Sequence, residues 1–176
     1  MIRRIPWIVV LLPIILFSCK KNDIAADDNS GTNNNNNNNS GAVVYNVNKA
    51  TILQLINNVR QTGCNCGATA MPAVSVLVWN DQLAKAAYDH SVDMKANDYF
   101  SHTGLDNSDP GERITAAGYT WHAYGENIAN GYTTEQAVVD GWLNSEGHCK
   151  NIMADNFKDM GVGRDGNYWT QEFGTK

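Results

Sequence analysis

The stretch SEGHCKNIM, residues 145–153, sets a carboxylate (Glu146), an imidazole (His148) and a thiol (Cys149) within four consecutive positions. Three chemistries use such a set. A carboxylate and an imidazole can orient or ligate a divalent ion. A thiol beside an imidazole can act as a nucleophile with its base, and a polar run can simply end a helix. The local sequence leaves these open, so the other reactive side chains must be weighed alongside. His90 falls on the apolar stripe formed by Leu83, Ala86, Ala87 and Met94, where a hydrogen-bonded core histidine is favoured over a ligand. His122 and Glu126 stand four apart in an extended stretch, on one face but ~13 Å apart along it, too far to share one ion. Ser101 and Ser145 lack the surroundings of a nucleophile elbow, and the chain has neither an HExxH helix nor a GxSxG turn.

The elements that must position these groups follow from periodicity and caps. Ile52, Leu55, Ile56 and Val59 recur at helical spacing up to Gly63, and the GCNCG segment after it reads as a loop. Val74 to Trp79 is β-prone, and Asn80 caps a helix running from Asp81 to about Asn97. YFSHTG reads as a turn, and Pro110-Gly111 opens a short helix to about Ala117. Gly118 to Asn130 reads as a strand closed by Gly131, and Thr133 with Gln136 has capping-box spacing for a third long helix through Trp142. Met160 to Arg164 and Asn167 to Phe173 flank Asp165-Gly166 as a hairpin. Trp79, Trp142, Tyr99 and Phe100 are expected in the core. Helices and mostly antiparallel strands mix without βαβ alternation or internal repeats, which predicts a layered α+β fold.

Upstream of this domain the chain carries other signals. Residues 1–18 begin with Arg3 and Arg4 and continue as a short apolar run, below the ~20 residues of a membrane span and typical of a secretory leader. LFSC, ending at Cys19, resembles the lipobox of bacterial lipoproteins, which implies cleavage before Cys19 and its acylation. Lys20 stands where many inner-membrane lipoproteins carry aspartate, so the resemblance implies the outer membrane. Residues 19–45, with the asparagine run 33–39, bury too little apolar surface to fold and read as a tether reaching roughly 30 Å. Residues 46–176 make one domain. Net charge is −5, and loss of the leader's two arginines makes it −7. With no basic patch, nucleic acid is excluded as a partner.

Taken together, FSHTG around His102, GENIA around Glu126, WLNSEGH from Trp142, YWTQEFG at the end and the helix AKAAYDHSVDM resemble the CAP superfamily. This superfamily includes the cysteine-rich secretory and pathogenesis-related proteins, and its bacterial extracellular branch is the nearest in pattern. The resemblance spans 46–176 and implies an α-β-α sandwich with an open cleft bearing two histidines and two acids. Residue by residue these fall on His102, Glu126 and His148, with Glu146 in the fourth place, although many bacterial relatives have SPGH where this chain has SEGH. Two imidazoles from separate loops suit a divalent ion, Zn²⁺ foremost, at His102 and His148 with Glu126 orienting or ligating. Glu126 with a histidine also makes a general acid/base pair.

In an oxidising compartment disulfides persist. With Cys19 acylated, three cysteines remain. Cys149 is expected to bridge to Cys66, with Cys64 as the alternative partner. Glu146 and His148 would then face the cleft while Cys149 turns away. The expectation is a monomeric, membrane-anchored binding module for an ion and a lipid, sterol or glycan. Its alternative is a metal-assisted hydrolase of peptidase type using His102, Glu126 and His148.

Overall fold

The computed structural model describes residues 43–176, so the leader, Cys19 and the tether up to residue 42 lie outside the described residues. A small hairpin, β1 (Val43–Val44) and β2 (Val47–Asn48), extends the fold slightly into the stretch expected to be tether. It leads into α1 (Lys49–Thr62), where Asn48 accepts from Thr51 N at 3.1 Å and the stripe residues Ile52 and Ile56 are buried. The segment read as a loop is instead a hairpin, β3 (Cys64–Cys66) with β4 (Thr69–Met71), turned by Gly67 at φ 59°. Alternating exposure had not marked it because each strand is three residues long.

Of Val74 to Trp79, β5 (Val78–Trp79) alone pairs as a strand. Next comes α2 (Asp81–Ala96), whose cap Asn80 accepts from Gln82 N at 2.9 Å and Leu83 N at 3.2 Å. An irregular segment, 97–109, leads to α3 (Pro110–Ala116). β6 (Ala123–Asn130) starts later than expected, because Gly118 adopts φ 91° and Tyr119 turns into the core. α4 (Glu135–Leu143) is capped by Thr134 rather than Thr133, and Gln136 donates to Asp140 instead of closing a box. The SEGHCKNIM stretch is neither a frayed end nor part of α4; it forms its own helix, α5 (Glu146–Met153). β7 (Asp159–Asp165) and β8 (Tyr168–Thr175) complete the chain, turned at Gly166 with φ 60°.

One sheet in the order β5-β7-β8-β6 organises the domain, with β5 parallel to β7 and the remaining pairs antiparallel. Its period-two alternation divides the side chains. Met160, Val162, Trp169 and Phe173 join Ile52, Val138, Trp142 and Ile152 from α1, α4 and α5 in the main core. The opposite face is lined with glycine. A Cβ at Gly161 would land on the backbone of Leu83 and Ala84, and one at Gly163 on that of Tyr88, so α2 rests directly on the strand backbone. Ser91 Oγ then reaches Thr170 Oγ1 at 2.9 Å. Helices on both faces of a mixed sheet give the expected α+β, three-layer α-β-α arrangement. Trp79 and Trp142 are buried, but Phe100 is 51 % exposed, because segment 97–109 passes over the surface instead of through the core.

Candidate functional site

The site is built around Glu126 on β6, the edge strand, with its side chain 2 % exposed. A carboxylate so buried needs compensation, or it neutralises. Two partners supply it. His102 Nδ1, on segment 97–109, lies 2.6 Å from Oε1, and Arg113 Nη2, on α3, donates to Oε2 at 2.7 Å. The helix that aims Arg113 is short but locked by a capping box. Asp109 accepts from Glu112 N at 2.8 Å, while Glu112 accepts from Asp109 N at 2.9 Å. Arg113 also donates to the carbonyls of Ser108 at 2.9 Å and His102 at 3.0 Å, which fixes the loop carrying the histidine.

Charge states follow from these contacts. Burial pushes the Glu126 carboxyl up, but the bond to His102 and the Arg113 charge outweigh it and hold the group below its ordinary value. His102 is raised above 6.5, first by its bond to Glu126. Its Nδ1 is therefore committed, and Nε2 is the nitrogen left on a side chain that is 53 % exposed. Both oxygens of Glu126 are engaged, so the carboxylate fixes the ring orientation of His102.

Behind this pair lies His90 on α2, 1 % exposed, with Nε2 donating to Ser101 O at 2.9 Å and standing 3.9 Å from Glu126 Oε2. Burial lowers its pKa, so it is a neutral strut of the loop that carries His102.

His148 reaches the site from α5. Asn127 Nδ2 donates to His148 O at 3.2 Å and to Gln171 Oε1 at 3.0 Å. Asn151 Nδ2 donates to Glu126 O at 3.1 Å and Asn127 Oδ1 at 2.9 Å. These amides clamp α5 to β6 beside Glu126. The His148 ring is half-buried, and its pKa is lowered by burial first and then by the charge of His102.

Glu146 does not join them. At the start of α5 its carboxylate accepts from Lys150 Nζ at 2.6 Å, one helical turn on, and packs over Gly67 of the β3–β4 turn. The carboxyl that does meet Glu126 is Glu172, which no motif reading had singled out. It lies opposite Glu126 in the β6–β8 register and is completely buried. Burial first, and the charge of Glu126 second, push Glu172 well above the ordinary carboxyl value. The pair thus holds one ionised and one neutral carboxyl. Nothing in YWTQEFG distinguishes this glutamate locally, since its neighbour is set by cross-strand pairing.

A group whose folded pKa is raised contributes stability that is fully present below its unfolded pKa and lost as pH climbs towards the folded value. Wild type therefore loses up to about 1.4 kcal/mol per pH unit above roughly pH 4.3 through Glu172. Glu172→Gln is expected to abolish this slope, and the variant should gain on wild type between pH 4 and 7 in urea midpoints. Parallel stability–pH curves for the two proteins would remove the assigned protonation.

The second cysteine question is answered in the same helix. Cys149 is bridged to Cys66, with Cα atoms 5.4 Å apart, and is buried in the main core. Cys64 lies outside that bridge, with its Sγ 3.7 Å from that of Cys149.

The CAP model, described as the cysteine-rich secretory protein family, matches residues 53–173. The membrane protein YlbC of Bacillus subtilis is 35 % identical over 130 residues, covering 74 % of this chain and 35 % of YlbC. YkwD of the same organism is 42 % identical over 96 residues, covering 53 % of this chain and 37 % of YkwD. The chain thus spans little more than a third of the curated relatives it matches. Among solved structures, an extracellular SCP-domain protein of Bacillus anthracis aligns with a TM-score of 0.65 and 35 % identity, over 72 % of this chain and 40 % of its own. Motifs, layers and matched length agree, and the chain belongs to the CAP family of cysteine-rich secretory proteins.

Proposed function

We propose that the domain is an extracytoplasmic binding module whose cleft holds a divalent ion, foremost Zn²⁺, between His102 and His148. The observation that carries this is the buried Glu126, fixed by Arg113 and bonded to His102 Nδ1 at 2.6 Å. A carboxylate in that position orients an imidazole to present its other nitrogen. The donor set fits the ion. His148 is held towards its neutral, ligating form by burial. Among the described residues no third His, Cys, Asp or Glu closes with this pair into a cluster, so the other positions fall to water or to a small ligand. A bound Zn²⁺ would supply Lewis-acid attraction for a ligand oxygen.

Calorimetric titration with Zn²⁺ at pH 7.5 should show one site, absent from the His102→Ala/His148→Ala double variant. Glu126→Gln should weaken binding by roughly 10- to 100-fold. Protons compete for His102 first, because its bond to Glu126 raises its pKa, so affinity should already decline as pH falls towards 6.5. No heat at neutral pH, or heat unchanged in the double variant, removes the ion from the site. Turnover of peptide, ester or glycan libraries, lost in both Glu126→Gln and His148→Ala, would instead favour the metal-assisted hydrolase.

The placement of the module is part of the same proposal. Cys19 is acylated and anchors the chain in an outer membrane, the Asn-rich tether holds the domain off the bilayer, and the domain works as a monomer capturing a lipid, sterol or glycan of the envelope. The lipobox-like LFSC supports this, as do the membrane-protein name of YlbC and the extracellular description of the Bacillus anthracis relative. Wild type should sediment with membranes, and Cys19→Ala should appear in the soluble fraction or keep its leader. Wild type found wholly soluble with an unmodified N-terminus would refute the anchor.

A further inference from the structure

A cavity of about 460 Å³ lies between α2, α3 and segment 97–109, within the size range of small-molecule sites. His90 and Arg113, which flank Glu126, form part of its wall, but His102, Glu126 and His148 do not line it. We propose that this cavity binds an aliphatic polyamine.

The charge of the wall points to a cation. Lys85, Asp89 and Asp93 follow one another at single turns along the cavity face of α2. Lys85 Nζ and Asp89 Oδ2 are 2.5 Å apart and offset each other. Asp93, half-buried, accepts from Asn97 Nδ2 at 2.8 Å and from the hydroxyl of Tyr99, both neutral donors. Across from it Asp106 accepts from Ser108 N at 2.9 Å, again a neutral donor. Arg113, the other cation of the wall, spends Nη2 on Glu126. Asp93 and Asp106 are thus left to a cation from outside the chain.

A buried acceptor adds to this demand. His90 is 1 % exposed, and its Nε2 donates to Ser101 O at 2.9 Å. In that tautomer Nδ1 is an acceptor, and no group of the protein donates to it. Ring nitrogens so deeply buried are ordinarily hydrogen-bonded, so the wall calls for an N–H donor.

The form of the cation follows from the same residues. Among the described residues the one trio of His, Cys, Asp or Glu ligand atoms within 4.8 Å is that of the cysteines, so these carboxylates are spread along the wall and do not converge on a metal ion. No aromatic ring lines the cavity, which removes the cage that recognises a quaternary ammonium. Ammonium groups can instead form charge-assisted hydrogen bonds with Asp93 and Asp106. Ala86, Leu105, Ala116 and Ala117 give the methylenes between those groups an aliphatic surface.

The test is calorimetric titration of the full chain with spermidine at pH 7.5, in about 0.15 M salt to screen diffuse attraction. One site is expected, with a Kd of roughly 0.01–1 mM, and 1,8-octanediol, a neutral chain with the same donors' spacing class, should give no heat. Asp93→Asn should weaken spermidine at least about 10-fold. Ala116→Phe, at an exposed position of α3, should fill the cavity and abolish binding. The His102→Ala/His148→Ala double variant should bind spermidine as wild type does, which separates this site from the Zn²⁺ reading. No heat with spermidine overturns the proposal. So does binding unchanged in Ala116→Phe, whether or not Asp93→Asn folds, or Mg²⁺ binding as tightly at the same carboxylates. Spermidine binding lost in the double histidine variant would place the amine in the cleft and overturn the assignment to this cavity.

Discussion

Cys149→Ser is expected to lower the stability of the domain by about 4–5 kcal/mol, the largest loss from any single substitution considered for this chain. The bridge to Cys66 spans 83 residues, and in the chain-entropy model a loop of that length confines the unfolded state by that amount. For a domain of this size the loss corresponds to a fall in Tm of roughly 15–20 °C. The native state suffers as well, because Cys149 is fully buried beside Trp142 and Ile152 in the main core, where a hydroxyl packs poorly. Thermal and guanidinium unfolding under non-reducing conditions measures the effect, and wild type with excess dithiol should shift in the same direction. A loss below about 1 kcal/mol would show that strain in the native bridge cancels the entropic gain.

The second large effect is expected at Arg60, on the last turn of α1 and 0 % exposed. Its guanidinium donates through Nε to Ser75 O at 2.7 Å and through Nη1 to Ile152 O at 2.6 Å and Ala154 O at 3.0 Å. Nη2 reaches Phe157 O at 3.4 Å. The carbonyls of Ile152 and Ala154 belong to the C-terminal end of α5, which the helix cannot satisfy from within. Arg60 therefore caps the helix that carries His148 and Cys149, and it does so at a cost, since burial lowers its own pKa. Arg60→Leu fills part of the volume but leaves several buried acceptors without donors. Each such acceptor costs about 1–3 kcal/mol, and the expected total is about 3–5 kcal/mol. Arg60→Lys should recover only part, because a single ammonium cannot reproduce the forked donors. Chemical denaturation reads both losses, and equal stability of Arg60→Leu and wild type would show that water replaces the guanidinium without penalty. Zn²⁺ affinity should weaken in parallel if the cleft depends on how α5 is held.

The sequence by itself determined those features whose causes lie within a few residues. The stripe Ile52/Ile56 placed α1 and the Asn80 cap placed the start of α2, since a cap acts on amides two or three positions away. Asp165-Gly166 placed the final hairpin for the same reason. The motifs around His102, Glu126 and His148 marked the family, and with it the layered fold. Tertiary structure alone decided what depends on pairing between distant segments. Glu172 meets Glu126 only because β8 registers against β6, and a shift of one residue would turn it to the other face. Arg113 and Asn127 acquire their roles from where α3 and α5 dock, 13 and 21 residues from the groups they hold. Glu146, two residues before His148 in sequence, stays out of the site because helical geometry offers it Lys150 four residues on, and a partner within one turn is reached at less entropic cost than a distant one.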